Sequence, residues 1–320
     1  MGCIKELDQS TILKLAAGEI IDRPVSIVKE LVENAIDAGS TQISIHLKDG
    51  GIAEIQVIDN GCGIAPDDIP LTVTPHATSK LSEFDDLQTV MTMGFRGEAL
   101  ASIAEVTDIS ILSKQEGDEL GVELSKIGNQ QKPEISKKAR TTGTTITISH
   151  LFKQVPVRFR FLKTPATECG YITKCIQQFS VHYPQIAFEL TNNEGEVLAT
   201  SGKGKLETTF ATIVNAKSDE IRTFHKETNG IRVHGVMTTP NKIFKNRQKC
   251  WFSINHRMVE SPIFFKALQS ALSDVVPKQH YPAVVCNIEC DTKDVDINIH
   301  PKKESVKFAN GDDIFLAIRR

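Results

Sequence analysis

One stretch near the start constrains this chain more than any other: a helix followed at once by a hairpin that ends in a glycine-flanked aspartate. Pro24 suits the first turn of a helix, where a missing N–H costs no bond, and Gly39 suits the left-handed position just past its end. Between them Val25, Val28, Leu31, Val32, Ala35 and Ile36 recur at helical spacing and predict a buried stripe. Glu30, Asn34 and Asp37 follow one another at i, i+4 and i+7 and therefore share a face, for which Glu33 competes. Alone, that face is also what a solvated helix presents. A carboxylate beside an amide oxygen can do more: it can orient and deprotonate water, and the amide is a hard ligand for Mg²⁺.

Ile43-Ser44-Ile45-His46-Leu47 alternates as a strand does, Asp49-Gly50-Gly51 reads as a hairpin turn, and residues 52–58 read as the returning strand. That strand delivers Asp59 to its end, where a cleft can open. Gly61 and Gly63 of Asp59-Asn60-Gly61-Cys62-Gly63 permit positive φ and close approach by a ligand, although an ordinary Asp-Asn-Gly turn looks the same. Further on, Gly94-Phe95-Arg96-Gly97 feeds the helix-prone Glu98-Ala99-Leu100-Ala101-Ser102-Ile103-Ala104. A glycine loop entering a helix offers free N–H groups to an anion. No Gly-Lys-Ser or Gly-Lys-Thr follows, and the Gly-x-x-Gly spacing is not a dinucleotide fingerprint. Gly143-Thr144 completes the series.

In this order and spacing the four parts resemble the ATP site shared by gyrase, the heat-shock ATPase chaperones, histidine kinases and MutL. The heptapeptide Gly94 to Leu100 points to the MutL family of DNA mismatch-repair ATPases. The resemblance implies ATP and Mg²⁺ as cofactors. Glu30 would activate the water, Asn34 would hold the metal, and Asp37 would belong to the same nucleotide site. Asp59 would accept a hydrogen bond from the adenine amino group, with Gly61 and Gly63 allowing the approach. Thr78, Ser79 and Lys80, within His76-Ala77-Thr78-Ser79-Lys80, match the lid that folds over the nucleotide. Gly94, Phe95, Arg96, Gly97, Glu98, Ala99 and Leu100, with Thr144 and Lys303, would hold phosphates; Lys303 matches through His300-Pro301-Lys302-Lys303, where the family has His-Pro-x-Lys.

A length of 320 residues predicts two domains, and 40% hydrophobic with 24% charged residues is a globular composition. No apolar run approaches the roughly 20 residues of a membrane span, and the first residues lack an apolar signal core. The seven cysteines, at 3, 62, 169, 175, 250, 286 and 290, form no Cys-x-x-Cys pair and predict reduced intracellular thiols. Cys286 and Cys290 share one face of a predicted strand and read as core residues. From Leu206 onward 17 Lys and Arg stand against 13 Asp and Glu, a net of +4, while the rest carries 20 against 27, a net of −7. The second half is thus the better candidate for meeting a polyanion.

Ser201-Gly202-Lys203-Gly204-Lys205 reads as a junction, giving an ATPase domain over 1–205 and a second, transducer domain over 206–320. Strands are predicted near 231–236, 250–254, 283–290 and 296–299, with a helix over 261–275 whose stripe is Phe264, Leu268 and Leu272. The resemblance implies an α+β architecture: an α/β sandwich of the gyrase/MutL type followed by a ribosomal-protein-S5-like β-α-β domain. Lys242, Lys245, Arg247 and Lys249 read either as a charged loop or as an edge that contacts phosphates. Arg257 of Asn255-His256-Arg257 matches the family's Asn-x-Arg, which is associated with DNA binding; His256 stands where glycine is usual.

The function implied is a slow ATPase switch of DNA mismatch repair. ATP would order the lid and promote an N-terminal homodimer. DNA would bind largely without sequence preference, a mismatch-recognition protein and downstream repair enzymes would be partners, and no membrane would be involved. The compartment would be intracellular, the bacterial cytoplasm and nucleoid or a nucleus. The chain ends two turns into a helix begun at Asp312, as an N-terminal piece of a longer protein would, with a dimerisation domain and any endonuclease motif beyond it. Two departures from the family stand out: His150 opens a segment that normally begins with Asp, and Pro75 replaces a polar residue. The ATPase region of a type II topoisomerase and a DNA-binding module with a vestigial nucleotide site are the alternatives.

Overall fold

The structure is a computed structural model that describes residues 21–75, 77, 98–128, 130, 132–153, 155–255, 257–291, 293, 295–296, 307–308 and 311–319. The chain divides into two compact units, residues 1–176 with 185–202, and residues 177–184 with 203–320.

The first unit opens on α1 (Pro24–Asp37). Arg23 enters in extended conformation, Pro24 takes the first turn, and the helix ends where Ala38 and Gly39 donate to the carbonyls of Asn34 and Ile36, with Gly39 at φ 74°. Its buried side chains are Pro24, Ile27, Val28, Leu31, Val32 and Ala35. The predicted stripe is therefore rotated slightly: Val25 and Ile36 are only half-buried, and Ile27 takes the core position. β1 (Gln42–Lys48) and β2 (Glu54–Asp59) pair antiparallel, with Ile45 opposite Val57. The turn between them consumes Ile52 and Ala53 as well, because their N–H groups donate back to Asp49 and Lys48. Asp49, Gly50 and Gly51 all have positive φ, and a Cβ on Gly50 would lie 2.1 Å from the Pro165 carbonyl oxygen.

α2 (Ala99–Val106) leads into β3 (Asp108–Lys114), then β4 (Gly121–Lys126), β5 (Glu134–Lys138) and β6 (Gly143–Ser149). A helical turn at Pro156–Phe159 precedes α3 (Pro165–His182), β7 (Ala187–Asn192) and β8 (Gly195–Ala199). These strands make one eight-stranded sheet in the order β5-β4-β3-β6-β2-β1-β7-β8, antiparallel except where β1 meets β7. Burial alternates along β1, β2, β3 and β6, so one face is apolar and α1 packs on β2.

The second unit carries α4 (Leu206–Val214), β9 (Ile221–Thr228), β10 (Ile231–Thr238), the short β11 (Ile243–Phe244), β12 (Cys250–Ile254), β13 (Arg257–Met258), α5 (Pro262–Ala271), β14 (Tyr281–Pro282), β15 (Val284–Glu289) and α6 (Gly311–Arg319). Its five-stranded sheet runs β13-β12-β15-β10-β9. β12 and β15 are parallel and α5 crosses between them, the predicted β-α-β unit. The helix stops at Ala271, shorter than the sequence predicts, with Leu272 donating to the Leu268 carbonyl. Phe252 anchors the core: it stacks on Phe264 at 4.9 Å and meets Phe265 edge-on at 5.3 Å. Cys286 is 2% exposed and Cys290 packs against the same core, the place predicted for both. On the opposite face Phe210 of α4 meets Trp251 edge-on. Among the described residues no helix is long and apolar enough to cross a membrane.

Candidate functional site

The core-facing side of the large sheet changes character at one end. In register across β3, β6 and β2, Ile111, Ile146 and Val57 form one apolar row. The next core-facing row is Ser113, Thr144 and Asp59, all polar and all buried. Alternation forces these three inward, so the polar row is built into the buried face and is no accident of the surface. Polar groups in such a row must find partners.

They do so locally. Asp59 Oδ1 accepts from the Gly61 N–H at 2.8 Å and from the Ser40 hydroxyl at 3.2 Å. The Thr144 and Ser113 hydroxyls bond at 2.9 Å, and the Ile64 N–H donates to Ser113 Oγ at 2.8 Å. Burial raises the Asp59 pKa above the usual carboxylate value; the Gly61 N–H, the Ser40 hydroxyl, the Arg140 charge and the Thr144 backbone oppose that rise. Asn60 holds the loop by accepting from the N–H groups of Thr41 and Gln42, both at 2.9 Å. Cys62 N–H donates to the Ala38 carbonyl and so ties the loop to the end of α1.

The glycines answer to contact as much as to φ. A Cβ on Gly61 would sit 2.7 Å from Ser40 Oγ, on Gly63 2.2 Å from the Lys114 carbonyl oxygen, and on Gly143 2.2 Å from the Asp59 carbonyl oxygen. The end of α1, the 59–63 loop and the start of β6 are thus packed backbone to backbone.

Glu30, Asn34 and Asp37 are each half-buried on α1, the helix that packs on the strand bearing Asp59. Among the described residues no three His, Cys, Asp or Glu gather as a metal site. The amide oxygen of an asparagine such as Asn34 is a hard donor of the kind Mg²⁺ takes alongside water and phosphate oxygens. Glu98 stands at the N-cap position of α2 without a capping side-chain bond, and Ala99 and Leu100 begin its first turn. Thr78, Ser79, Lys80, Gly94, Phe95, Arg96, Gly97 and Lys303 lie outside the described residues. Thr144 pairs directly with Asp59 across β6 and β2.

In the second unit the basic cluster is not uniform. Lys242 Nζ donates to the Asn215 carbonyl and lies 3.3 Å from Glu220 Oε2, so it has partners within its own unit. The Lys249 ammonium sits 4.5 Å over the Phe244 ring and the Arg247 guanidinium 4.5 Å over Phe265. Lys245 and Arg247 are exposed, and Arg257 is half-buried on β13. Asn255 takes the left-handed turn itself, at φ 46°, and exchanges hydrogen bonds with the Cys290 backbone at 3.0 Å.

Ser40, Ser113 and Arg140 carry no motif and were not legible as site residues. His150, the departure from the family pattern, bonds Asp108 Oδ2 at 2.6 Å from a left-handed backbone.

Comparison with known proteins places this geometry. A family described as "Histidine kinase-, DNA gyrase B-, and HSP90-like ATPase" matches residues 19–154, and one described as "DNA mismatch repair protein, C-terminal domain" matches residues 211–320. "DNA mismatch repair protein MutL" of Herminiimonas arsenicoxydans is 37% identical over 95% of this chain and 50% of its own length. The protein of the same name from Bacillus mycoides is 38% identical over 99% of this chain and 49% of its own. This chain spans about half the length of these curated relatives. Among solved structures, an N-terminal domain of a DNA repair protein superposes with TM-score 0.80 at 23% identity over 96% of this chain and 95% of its own. The Aquifex aeolicus MutL ATPase domain complexed with ADP superposes with TM-score 0.67 at 22% identity, covering 93% and 98%. At those identities the superpositions establish the fold: a nucleotide-type α/β sandwich with an S5-like second domain.

Proposed function

This chain belongs to the MutL family of DNA mismatch repair proteins, and from that premise we propose that it is an ATP-hydrolysing switch whose base end is the polar row of the large sheet. The observation that carries the reading is Asp59, a buried carboxylate held at a strand end by Gly61 and Ser40. The Gly61 and Ser40 bonds fall on Oδ1, and Oδ2 is the acceptor for an adenine amino group. Gly61, Gly63 and Gly143 keep side chains out of the loop around it.

From that end the nucleotide runs along α1. Glu30, one turn before Asn34, is the general base for the attacking water, and Asn34 is the Mg²⁺ ligand, with Asp37 on the same face. The metal, when bound, neutralises phosphate charge; the residues themselves hold the water and the amide in place. Glu98, Ala99 and Leu100 begin a helix whose N-terminal N–H groups suit an anion, continuing the Gly94–Gly97 loop. Thr78, Ser79 and Lys80 form the lid, and Lys303 reaches the γ-phosphate from the second domain. A contact that ATP offers and ADP does not is what lets hydrolysis shift a conformational equilibrium. ATP-dependent homodimerisation, mismatch-recognition and downstream repair partners, and sequence-independent DNA binding through Lys245, Arg247 and Arg257 complete the proposal, in an intracellular compartment.

The mismatch-repair character of residues 211–320 disfavours the topoisomerase alternative. The direct test is titration with a non-hydrolysable ATP analogue followed by gel filtration. Binding together with a shift to twice the mass supports the reading, and failure to bind removes it.

A further inference from the structure

Arg140 lies in a stretch whose sequence carries no motif, yet its guanidinium grips β2 and β6, two of the three strands that bear the polar row. Nη2 donates to the Asp59 carbonyl at 2.9 Å, Nε donates to the Gly143 carbonyl at 3.0 Å, and Nη1 donates to Thr145 Oγ1. These carbonyls belong to Asp59 itself and to the residue before Thr144. One planar fork therefore sets the separation of the strand ends that present the Asp59 carboxylate and the Thr144 hydroxyl. Lysine has the charge but not the fork.

We propose that Arg140 is a positioning and base-selectivity residue, which holds the Asp59 carboxylate as an acceptor and so favours an adenine amino group over a guanine carbonyl. The inference rests on the reading of Asp59 as the base contact. Its chemistry is simple: adenine presents a donor where guanine presents an acceptor. An ionised carboxylate only accepts, whereas a protonated one can also donate to the guanine oxygen. Burial favours the neutral form of Asp59. The groups that face it and favour the charged form are the Gly61 N–H, the Ser40 hydroxyl at the end of α1, Arg140, and the Thr144 backbone of β6. Of these Arg140 is the charged one. The titratable neighbour in sequence is Cys62, which is exposed with its sulfur toward the Gly63 carbonyl. Without Arg140, Asp59 takes up its proton at higher pH and the strand ends lose their brace.

The experiment is equilibrium binding of ADP and GDP between about pH 8 and about pH 5, on wild type, Arg140→Gln, Arg140→Lys and Asp59→Asn, each checked for folding by circular dichroism. Arg140→Gln is expected to lose about tenfold of the preference for ADP over GDP, with the loss growing as pH falls. Arg140→Lys is expected to bind ADP more weakly yet keep the wild-type pH profile, because it keeps the charge without the fork. A folded Arg140→Gln with wild-type preference and profile overturns the proposal. So does an Arg140→Lys whose pH profile differs from wild type, and this arm decides the matter if Arg140→Gln does not fold. Asp59→Asn separates the two layers of the argument: if it keeps wild-type preference for ADP, the base contact itself is misassigned.

Discussion

Asp59 and His182 each carry an ionisable group that the fold keeps from water, in different surroundings. At Asp59 burial raises the pKa, and the Gly61 N–H, the Ser40 hydroxyl and the Arg140 charge oppose that rise. Among the described residues the His182 Nε2 has no hydrogen-bond partner, and burial pushes its pKa down to about 4. The residue surface is partly exposed, but that nitrogen is shut in, and it is the nitrogen that sets proton affinity. The unfolded chain takes up this proton near pH 6.5 and the folded chain does not until about pH 4, so stability rises with pH across that window. Between pH 7 and pH 5 this one group is expected to cost about 2 kcal/mol of stability, read as a lower urea midpoint at pH 5. His182→Leu should flatten the dependence; an equally steep variant would mean other groups dominate it. Asp59 was legible from the strand that ends on it. Ser40, Ser113 and Arg140 were not, because their meeting depends on the register of β3, β6 and β2, and periodicity gives a residue its face but not its neighbour across the sheet.

At the scale of elements, the helices and strands with clean periodicity came through: α1 with its proline entry and glycine exit, β1, β12 and the β-α-β order of the second domain. Boundaries moved where a turn took residues from a strand, as at Ile52 and Ala53. The Ser113–Arg140 stretch, generic as sequence, proves to contain β4, β5 and the arginine that braces the polar row. Packing of elements also makes two quantitative claims. Phe252 stands at the centre of the second core, so Phe252→Ala should cost about 3–5 kcal/mol by chemical denaturation. Gly63→Ala puts a methyl group against the Lys114 carbonyl at a φ of 76°. Nucleotide affinity in that variant should fall about tenfold or more, and unchanged affinity would mean that the 59–63 loop does not approach the ligand.

For the molecule as a whole, charge is divided: residues from Leu206 onward carry a net of +4 and the rest a net of −7, and under the proposed function the basic half meets DNA through Lys245, Arg247 and Arg257. Converting one of these to Glu should lower DNA affinity on every sequence and reduce the log–log salt slope by about 0.9 for each phosphate that is no longer neutralised. Lys242→Glu should instead act through stability, since Lys242 is tied to Asn215 and Glu220. The central claim is hydrolysis by Glu30 on a nucleotide whose base end is set by Asp59. ATP turnover and equilibrium ATP binding, measured side by side on wild type and Glu30→Ala, test it most directly. Turnover in the variant should fall roughly 100-fold or more with ATP affinity retained; near wild-type turnover in Glu30→Ala would contradict the account.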